Sequence, residues 1–510
     1  MTSTLLDTFE PPDTSRGRRR RWQNRIVMAV VGVLLVPAGW FGVTTALHAC
    51  GGLGSGVTRV DDECIGVTDG FYVFGPAYAD VEAKIARENK RVVEEVRKSG
   101  DKPVRAVTVA LFLPMTVDET SPIDVEEVRH QMEGAYTAQW RVNRAPIAGD
   151  PDPLIRLVLA NEGSHHQQWA PVVDQLASMR NADAPLVGVI GLGVSIDETR
   201  DAAQRLSEEN IPMVATLATA DSLNYQDYPG FVRVVPSNYD QVVALRKYLD
   251  QKRIDSAILV QDTNRDLFVE SLTNNFTTLL GDLILYPTQA FSGKSTPAEA
   301  TANIFAPVTS NICGAQPLPQ VVLFAGRKID LPSFLLSLEA RTCRETPITV
   351  ATVGSDTAAL ADEPALEETR LREANIVVAL ATSADPLSWE VGRANRPDGF
   401  IEFLSSFDDL FGAKDQLTDG EAILTYDALL TVARAIRLAA ESKPAGVVPS
   451  SADVTAQMPN LNTLHSISGA GGTLSFRARG KDTGNPCGKP VPMLELPPGP
   501  PIELVYMTCE

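Results

Sequence analysis

Nine continuous apolar runs alternate with helical patterns along this chain, and no other feature narrows its possible folds as far. The runs occupy residues 104–114, 154–160, 186–191, 213–217, 257–260, 283–286, 321–324, 348–353 and 376–380. Between most of them lie segments of helical periodicity, such as 126–142, 197–209, 241–251 and 267–280. Unbroken Val, Ile and Leu, in place of strict apolar–polar alternation, suits strands covered on both faces. Strands that alternate with helices predict parallel βαβ units. The chain therefore reads as α/β. Nine strands exceed one comfortable five- or six-stranded sheet, so the pattern predicts two doubly wound parallel-sheet lobes. At 510 residues and 44% hydrophobic content the chain is long enough to fill two cores.

Residues 26–47 (IVMAVVGVLLVPAGWFGVTTAL) form an uncharged run of 22, enough to cross a hydrocarbon core of about 30 Å as a helix. Residues 1–25 carry Arg16, Arg18, Arg19, Arg20, Arg21 and Arg25 against Asp7, Glu10 and Asp13, a local charge of +3. Positive flanks stay cytoplasmic, which predicts a single-pass cell-membrane protein with its N-terminus inside and its main body extracellular. A signal-peptide core usually spans about 7 to 15 residues, so the length of this run favours an uncleaved anchor over a cleaved leader. Lipidation at Cys50 is the other reading of this region. Leu47, His48, Ala49 and Cys50 have the outline of a lipobox, with His48 where a small or apolar residue is usual.

The six cysteines, Cys50, Cys64, Cys313, Cys343, Cys487 and Cys509, all lie beyond the apolar run, as expected of an oxidising compartment. They fall into three sequence-local couples, which predicts Cys50 with Cys64, Cys313 with Cys343 and Cys487 with Cys509. Acylation of Cys50 would leave Cys64 odd. The first couple would close a Gly- and Asp-rich loop over 51–70. An amphipathic helix over 81–98 comes next, with Val81, Ile85, Val92, Val93 and Val96 near one face. Residues 493–501 (MLELPPGPP) read as a turn region without helix, leading to a short strand over 502–507.

The net charge is −19, and the part after residue 25 carries −22. An acidic surface repels phosphate backbones, which argues against nucleic acid. No enzyme signature is complete. Gly191 and Gly193 open a helix as a dinucleotide fingerprint does, but Ile196 stands at its third glycine. Gly293, Lys294, Ser295 and Thr296 repeat the end of a phosphate-binding loop whose first glycine is here Thr288. There is no GxSxG elbow and no HExxH motif. His165 and His166 are adjacent and read as a solvent-exposed pair beside Gly163 and Ser164. Acid pairs such as Asp362 with Glu363 and Glu367 with Glu368 read as a solvated helix face. No catalytic residue, metal ligand or cofactor is predicted.

Several spaced fragments resemble the type I periplasmic-binding fold. The likeness is particularly to the substrate-binding proteins of branched-chain amino-acid ABC transporters and to related receptor ligand-binding regions. Residues 189–195 (VIGLGVS), 210–223 (NIPMVATLATADSL) and 231–236 (FVRVVP) are similar to the family's first lobe. Residues 424–429 (LTYDAL) with 433–436 (ARAI) resemble its returning helix. Residues 471–476 (GGTLSF) with Gly480 resemble its C-terminal strand and turn. The likeness spans roughly residues 104–480.

The resemblance implies ligand-binding positions one at a time. Ser195 matches the serine that holds a ligand carboxylate; as a plain helix N-cap ahead of Asp197 it would look the same from sequence. Leu217, Ala218 and Thr219 match the strand edge that meets an amino-acid head. Asp356 falls where the family has an acid for the ligand ammonium, or else caps the next helix. Arg327 stands where an aromatic often covers the ligand, which points to an added anionic group or to a different ligand class. The stretch 262–268 (DTNRDLF) departs from the family's Asp followed by Tyr-Gly, so that wall of the cleft is rebuilt.

The implied architecture is a cytoplasmic tail at 1–25, the transmembrane segment at 26–47, and a disulfide-closed loop with helix at 48–103. Lobe one is expected over 104–250 and 381–443, and lobe two over 251–380 and 444–510, joined by crossover strands. The implied function is capture of a small, polar, amino-acid-like ligand for an ABC transporter permease. A membrane-anchored sensor passing closure to a partner, or an extracytoplasmic enzyme on the same scaffold, are the alternatives.

Overall fold

A computed structural model describes residues 50–51, 55–100, 104–118, 120–264, 266–293, 304–354, 367–392, 395–412, 417, 419–477, 483–499 and 506–509. Residues 26–47 lie outside this set; among the described residues no helix is long and apolar enough to cross a membrane. The chain divides into two units, residues 1–54 and 55–510, and all the strands and helices described here belong to the second.

The continuous apolar runs are explained by what covers each face. In strand β3 (Ala106–Leu113), Val107, Val109, Leu111 and Leu113 enter one core while Ala110 and Phe112 enter another on the opposite face. In β10 (Val321–Ala325), Val321, Leu323 and Ala325 face one core and Val322 and Phe324 a second. Successive side chains point to opposite faces, so a strand buried on both must be apolar throughout.

The first sheet contains β1 (Val57–Val60), β2 (Glu63–Thr68), β3, β4 (Leu154–Asn161), β5 (Leu186–Gly191), β6 (Met213–Ala215) and β7 (Phe231–Arg233), in the order β1-β2-β4-β3-β5-β6-β7. Strands β3 to β7 are parallel, and β2 joins β4 antiparallel. The second sheet contains β8 (Ala257–Asp262), β9 (Gln289–Phe291), β10, β11 (Ile348–Gly354), β12 (Ile376–Thr382) and β16 (Met493–Leu496), in the order β16-β12-β11-β10-β8-β9. Only β16 is antiparallel there. Both parallel cores thus share one doubly wound order, second-first-third-fourth-fifth.

On one face of the first sheet, the helices Val125–Val142 and Glu421–Glu441 pack closely together. Gly134 makes this approach possible, because a Cβ there would stand 2.1 Å from the carbonyl oxygen of Ala422. The helices Asn238–Lys252 and Leu267–Leu279 cover one face of the second sheet. Phe291, Phe305, Phe324 and Phe334 pack ring against ring on the other.

Several boundaries differ from the sequence expectation. The helix Asn238–Lys252 buries Val242, Leu245 and Leu249 in the second core, so the first crossing falls near residue 236 rather than 250. Val454, Met458, Leu461, Leu474 and Phe476 pack in the first core, so the chain returns to the second lobe only between Phe476 and Val491, not at 444. The hairpin β13 (Ile467–Gly469) and β14 (Gly472–Leu474) precedes that return; β15 (Pro490–Val491) and β17 (Tyr506–Met507) pair after it.

The expected strand 283–286 is a single bridge from Ile284 to Ala257, and the strand that pairs with β8 on the side away from β10 is β9. Pro287 lacks the N–H that would continue the earlier run. The loop expected over 51–70 holds the hairpin β1–β2, and the turn region expected at 493–501 begins with β16. In the helix Ala79–Lys98, Val81, Ile85 and Val92 are buried, but Val93 and Val96 are exposed. Cys313 is bonded to Cys343 and Cys487 to Cys509. Cys50 and Cys64 are each disulfide-bonded.

Candidate ligand-binding cleft

In open α/β sheets, ligands bind beyond the carboxyl ends of the strands where the order reverses. Here those points lie between β3 and β5 in the first sheet and between β8 and β10 in the second. The residues after β5, β8 and β10 are therefore the ones placed to line a cleft.

After β5 the backbone passes through Leu192 and Gly193 with positive φ before the helix Asp197–Glu208 begins. Gly193 is obligatory, since a Cβ would lie 2.2 Å from His166 Cε1. Ser195 is 1% exposed and is not the N-cap: that position is Ile196, with no side-chain cap bond. The Ser195 hydroxyl instead accepts the N–H of Ala220 at 3.0 Å, tying together the turns that come after β5 and β6. Leu217, Ala218 and Thr219, all buried, stand on the second of these turns.

Arg233 holds that turn from beneath. It donates to the carbonyls of Ala218 at 2.8 Å and Ala220 at 3.0 Å, and to that of Leu223. Its side chain is fully buried, and desolvation lowers its pKa to about 10, so it stays charged at neutral pH. The Thr219 carbonyl accepts the N–H of Asn238 at 2.8 Å, linking the turn to the first helix of the second lobe.

On the second lobe, Asp262 ends β8 and is wholly buried. Its Oδ1 accepts the N–H groups of Asn264 and Gly293, each at 2.9 Å, and burial raises its pKa. Asp266 caps the helix Leu267–Leu279 and also meets Arg327 Nε at 2.6 Å. Arg327 lies over the Phe268 ring, 5.3 Å from its centroid, and its Nη2 donates to the Ser195 carbonyl at 2.9 Å. Ser195 and Arg327 are thus brought together directly, one from each lobe. Asp356 lies outside the described residues, as do Lys294, Ser295, Thr296, Asp362 and Glu363.

The histidine pair departs from expectation. His165 is partly exposed, but His166 is completely buried, with positive φ and Nδ1 2.7 Å from Glu162 Oε1. The left-handed backbone turns its ring inward beneath Gly193. Burial raises the pKa of Glu162, against the opposing pull of His166. Glu162 and Asp266 carry no motif that marks them in the sequence, and Arg233 lies in the fragment 231–236 without being singled out there. Only the departure at 262–268 signals that the Asp266 wall is unusual.

The paired second-first-third-fourth-fifth sheets with three crossings decide the fold. It is that of the type I periplasmic-binding proteins. Proteins similar in structure include the branched-chain amino-acid transporter substrate-binding protein LivJ of Streptococcus pneumoniae, in complex with isoleucine. It is 14% identical, with TM-score 0.56, covering 79% of this chain and 99% of that one. An ABC transporter substrate-binding protein of Desulfitobacterium hafniense, in complex with leucine, is 16% identical with TM-score 0.54, covering 79% and 100%. A solute-binding protein of an ABC transporter from Rhodopseudomonas palustris, in complex with 3,4-dihydroxybenzoic acid, is 14% identical with TM-score 0.53, covering 76% and 92%. No protein-family model matches the chain, and no curated protein matches its sequence. Among the described residues of this type I periplasmic-binding fold, no group of three or more His, Cys, Asp or Glu side chains could hold a metal ion.

Proposed function

We propose that this chain is an extracytoplasmic solute-binding protein that captures a small, polar, amino-acid-like ligand between its lobes. The observation that carries the reading is the facing of two switch points: the turns bearing Ser195 and Thr219 on one sheet, Asp266 and Arg327 on the other. The start of the helix Asp197–Glu208 offers backbone N–H groups beside Ser195, a setting that favours a carboxylate. Asp356 is the proposed partner of the ligand ammonium.

The charge of Arg327 is already compensated by Asp266. Its role is therefore to shape the cleft, and an added anionic group on the ligand is not required. Binding without bond chemistry accords with the substrate-binding neighbours. Delivery to an ABC permease, anchorage through residues 26–47 and an extracellular body complete the proposal.

A thermal-shift screen of amino acids and small peptides tests it, since a ligand at 100 times its Kd adds about 2.7 kcal/mol. Asp356→Ala should abolish the shift given by an α-amino acid; an unchanged shift would overturn that assignment. Recovery of each candidate solute unaltered after incubation, read by mass spectrometry, separates binding from catalysis. Co-purification of permease subunits separates transport from sensing.

A further inference from the structure

We propose that the two lobes carry a built-in latch that holds them together by direct bonds, so that closure does not depend on a solute bridging the cleft. The bonds lie at three separate places. At the centre, the Ser195 carbonyl of the first lobe accepts both the Phe268 N–H at 3.2 Å and Arg327 Nη2 at 2.9 Å, two donors from the second lobe. Asp266 orients Arg327 for this, bonding its Nε at 2.6 Å, while the Phe268 ring lies beneath the guanidinium. A carbonyl with two lone pairs is fully used by two donors.

Nearer the crossings, Asp221 reaches from the first lobe to the helix Leu267–Leu279. Its Oδ2 accepts from Ser271 Oγ at 2.7 Å and Asn275 Nδ2 at 2.5 Å, and its own N–H donates to Ser271 Oγ at 3.1 Å. At the third place, Lys328 of the second lobe meets Glu127 of the first at 3.1 Å. Glu127 is itself fixed by a capping box with Asp124, so its carboxylate is held in place before Lys328 arrives.

The hinge side is restrained as well. The returning segment pairs with the C-terminal strand, Gly488 N–H to Thr508 carbonyl at 3.0 Å and Thr508 N–H to Lys489 carbonyl at 2.9 Å, and Cys487–Cys509 closes the ladder. Tyr506 then bonds Asp240 at 3.1 Å on the helix Asn238–Lys252. A bonded strap resists rotation more than a single thread does, because bending it breaks these backbone pairs. Hinge motion in this fold class is absorbed by a few crossing residues, and here one of the three crossings is braced.

The test is a pair of spin labels on Glu95→Cys and Leu336→Cys, exposed positions on opposite lobes, in the full-length protein. Since none of the described cysteines is free, the labels go to the introduced ones. Without any added solute, the otherwise native protein should give one narrow interlobe distance. Combining Asp221→Ala with Arg327→Ala should broaden it and lengthen it by several ångströms. A control pair within the first lobe, Glu95→Cys with Gln204→Cys, should keep its distance in both backgrounds, which separates unlatching from unfolding. Ser271→Ala with Asn275→Ala removes the Asp221 contact from the other side and should broaden the distance in the same sense. A broad, long distance in the solute-free native protein, or identical distances in native and unlatched forms, would overturn the latch. No solute enters the measurement, so its failure is distinct from a failure of the binding function.

Discussion

Lys489 Nζ lies 2.6 Å from Asp427 Oδ2, and neither side chain is exposed. Asp427 also accepts the N–H groups of Ala470 at 2.6 Å and Gly471 at 3.0 Å, so one carboxylate joins the helix Glu421–Glu441, the β13–β14 turn and the segment returning to the second lobe. Breaking a buried pair by removing one partner costs about 3–5 kcal/mol, because the other charge is stranded. Lys489→Met should therefore lower stability by that amount in urea unfolding. Replacing both, Asp427→Leu with Lys489→Met, should cost less than the sum of the two single changes.

Arg233 predicts a coupled loss of stability and binding. Arg233→Met removes the guanidinium that bonds the carbonyls of Ala218, Ala220 and Leu223, of which Ala220 keeps the Leu223 N–H at 3.1 Å. An unmet buried polar group costs about 1–3 kcal/mol, so the two carbonyls that lose their donor give an expected total of about 2–6 kcal/mol. Hydrogen exchange should rise first over residues 216–223, and any solute-induced thermal shift should shrink with it.

Glu82 predicts a pH dependence. Its Oε1 accepts the Phe74 N–H at 3.1 Å, its Oε2 has no hydrogen-bond partner among the described residues, and desolvation raises its pKa from 4.5 to about 7. The folded form thus holds a proton that the unfolded chain releases near 4.5. Stability attributable to this group falls as pH rises from about 4.5 to 7, and the full penalty, about 3 kcal/mol, applies above that. Glu82→Gln should flatten the profile across this window and raise the melting temperature at pH 8. An unchanged slope would mean that Glu82 ionises as freely in the folded protein as in the unfolded one.

The two bridges Cys313–Cys343 and Cys487–Cys509 close loops with sequence separations of 30 and 22. Loop-closure entropy assigns each about 3–4 kcal/mol. Reduction should lower the unfolding midpoint, and Cys487→Ser with Cys509→Ser should expose the C-terminal strand to limited proteolysis before the rest of the protein.

The strand runs of both sheets were legible because burial on two faces demands unbroken apolar sequence, as in Val107 to Leu113. The hairpin β1–β2 was not: only Val57 of its first strand is buried, and Thr58 and Arg59 face outward, so it carries little apolar signal. Ser195 and Arg327 could be picked out singly by resemblance. Their bond joins residues 132 positions apart and depends on Asp266, which reads locally as a helix cap. His166 misled because adjacency to His165 says nothing of backbone handedness, and its positive φ goes with a buried ring that meets Glu162 and fills the space beside Gly193.

The short antiparallel strands at the sheet margins have a consequence for life at high concentration. Without β2, the eight-residue strand β4 would offer an unpaired edge; with the hairpin in place, the margin is the four-residue β1 bearing Arg59. On the second sheet β16 covers the β12 edge in the same way, and Pro497 and Pro498 come directly after it. Short edges, charges and prolines are poor templates for another chain to extend. These two margins are thereby guarded against growing into a shared sheet, even where many copies crowd together.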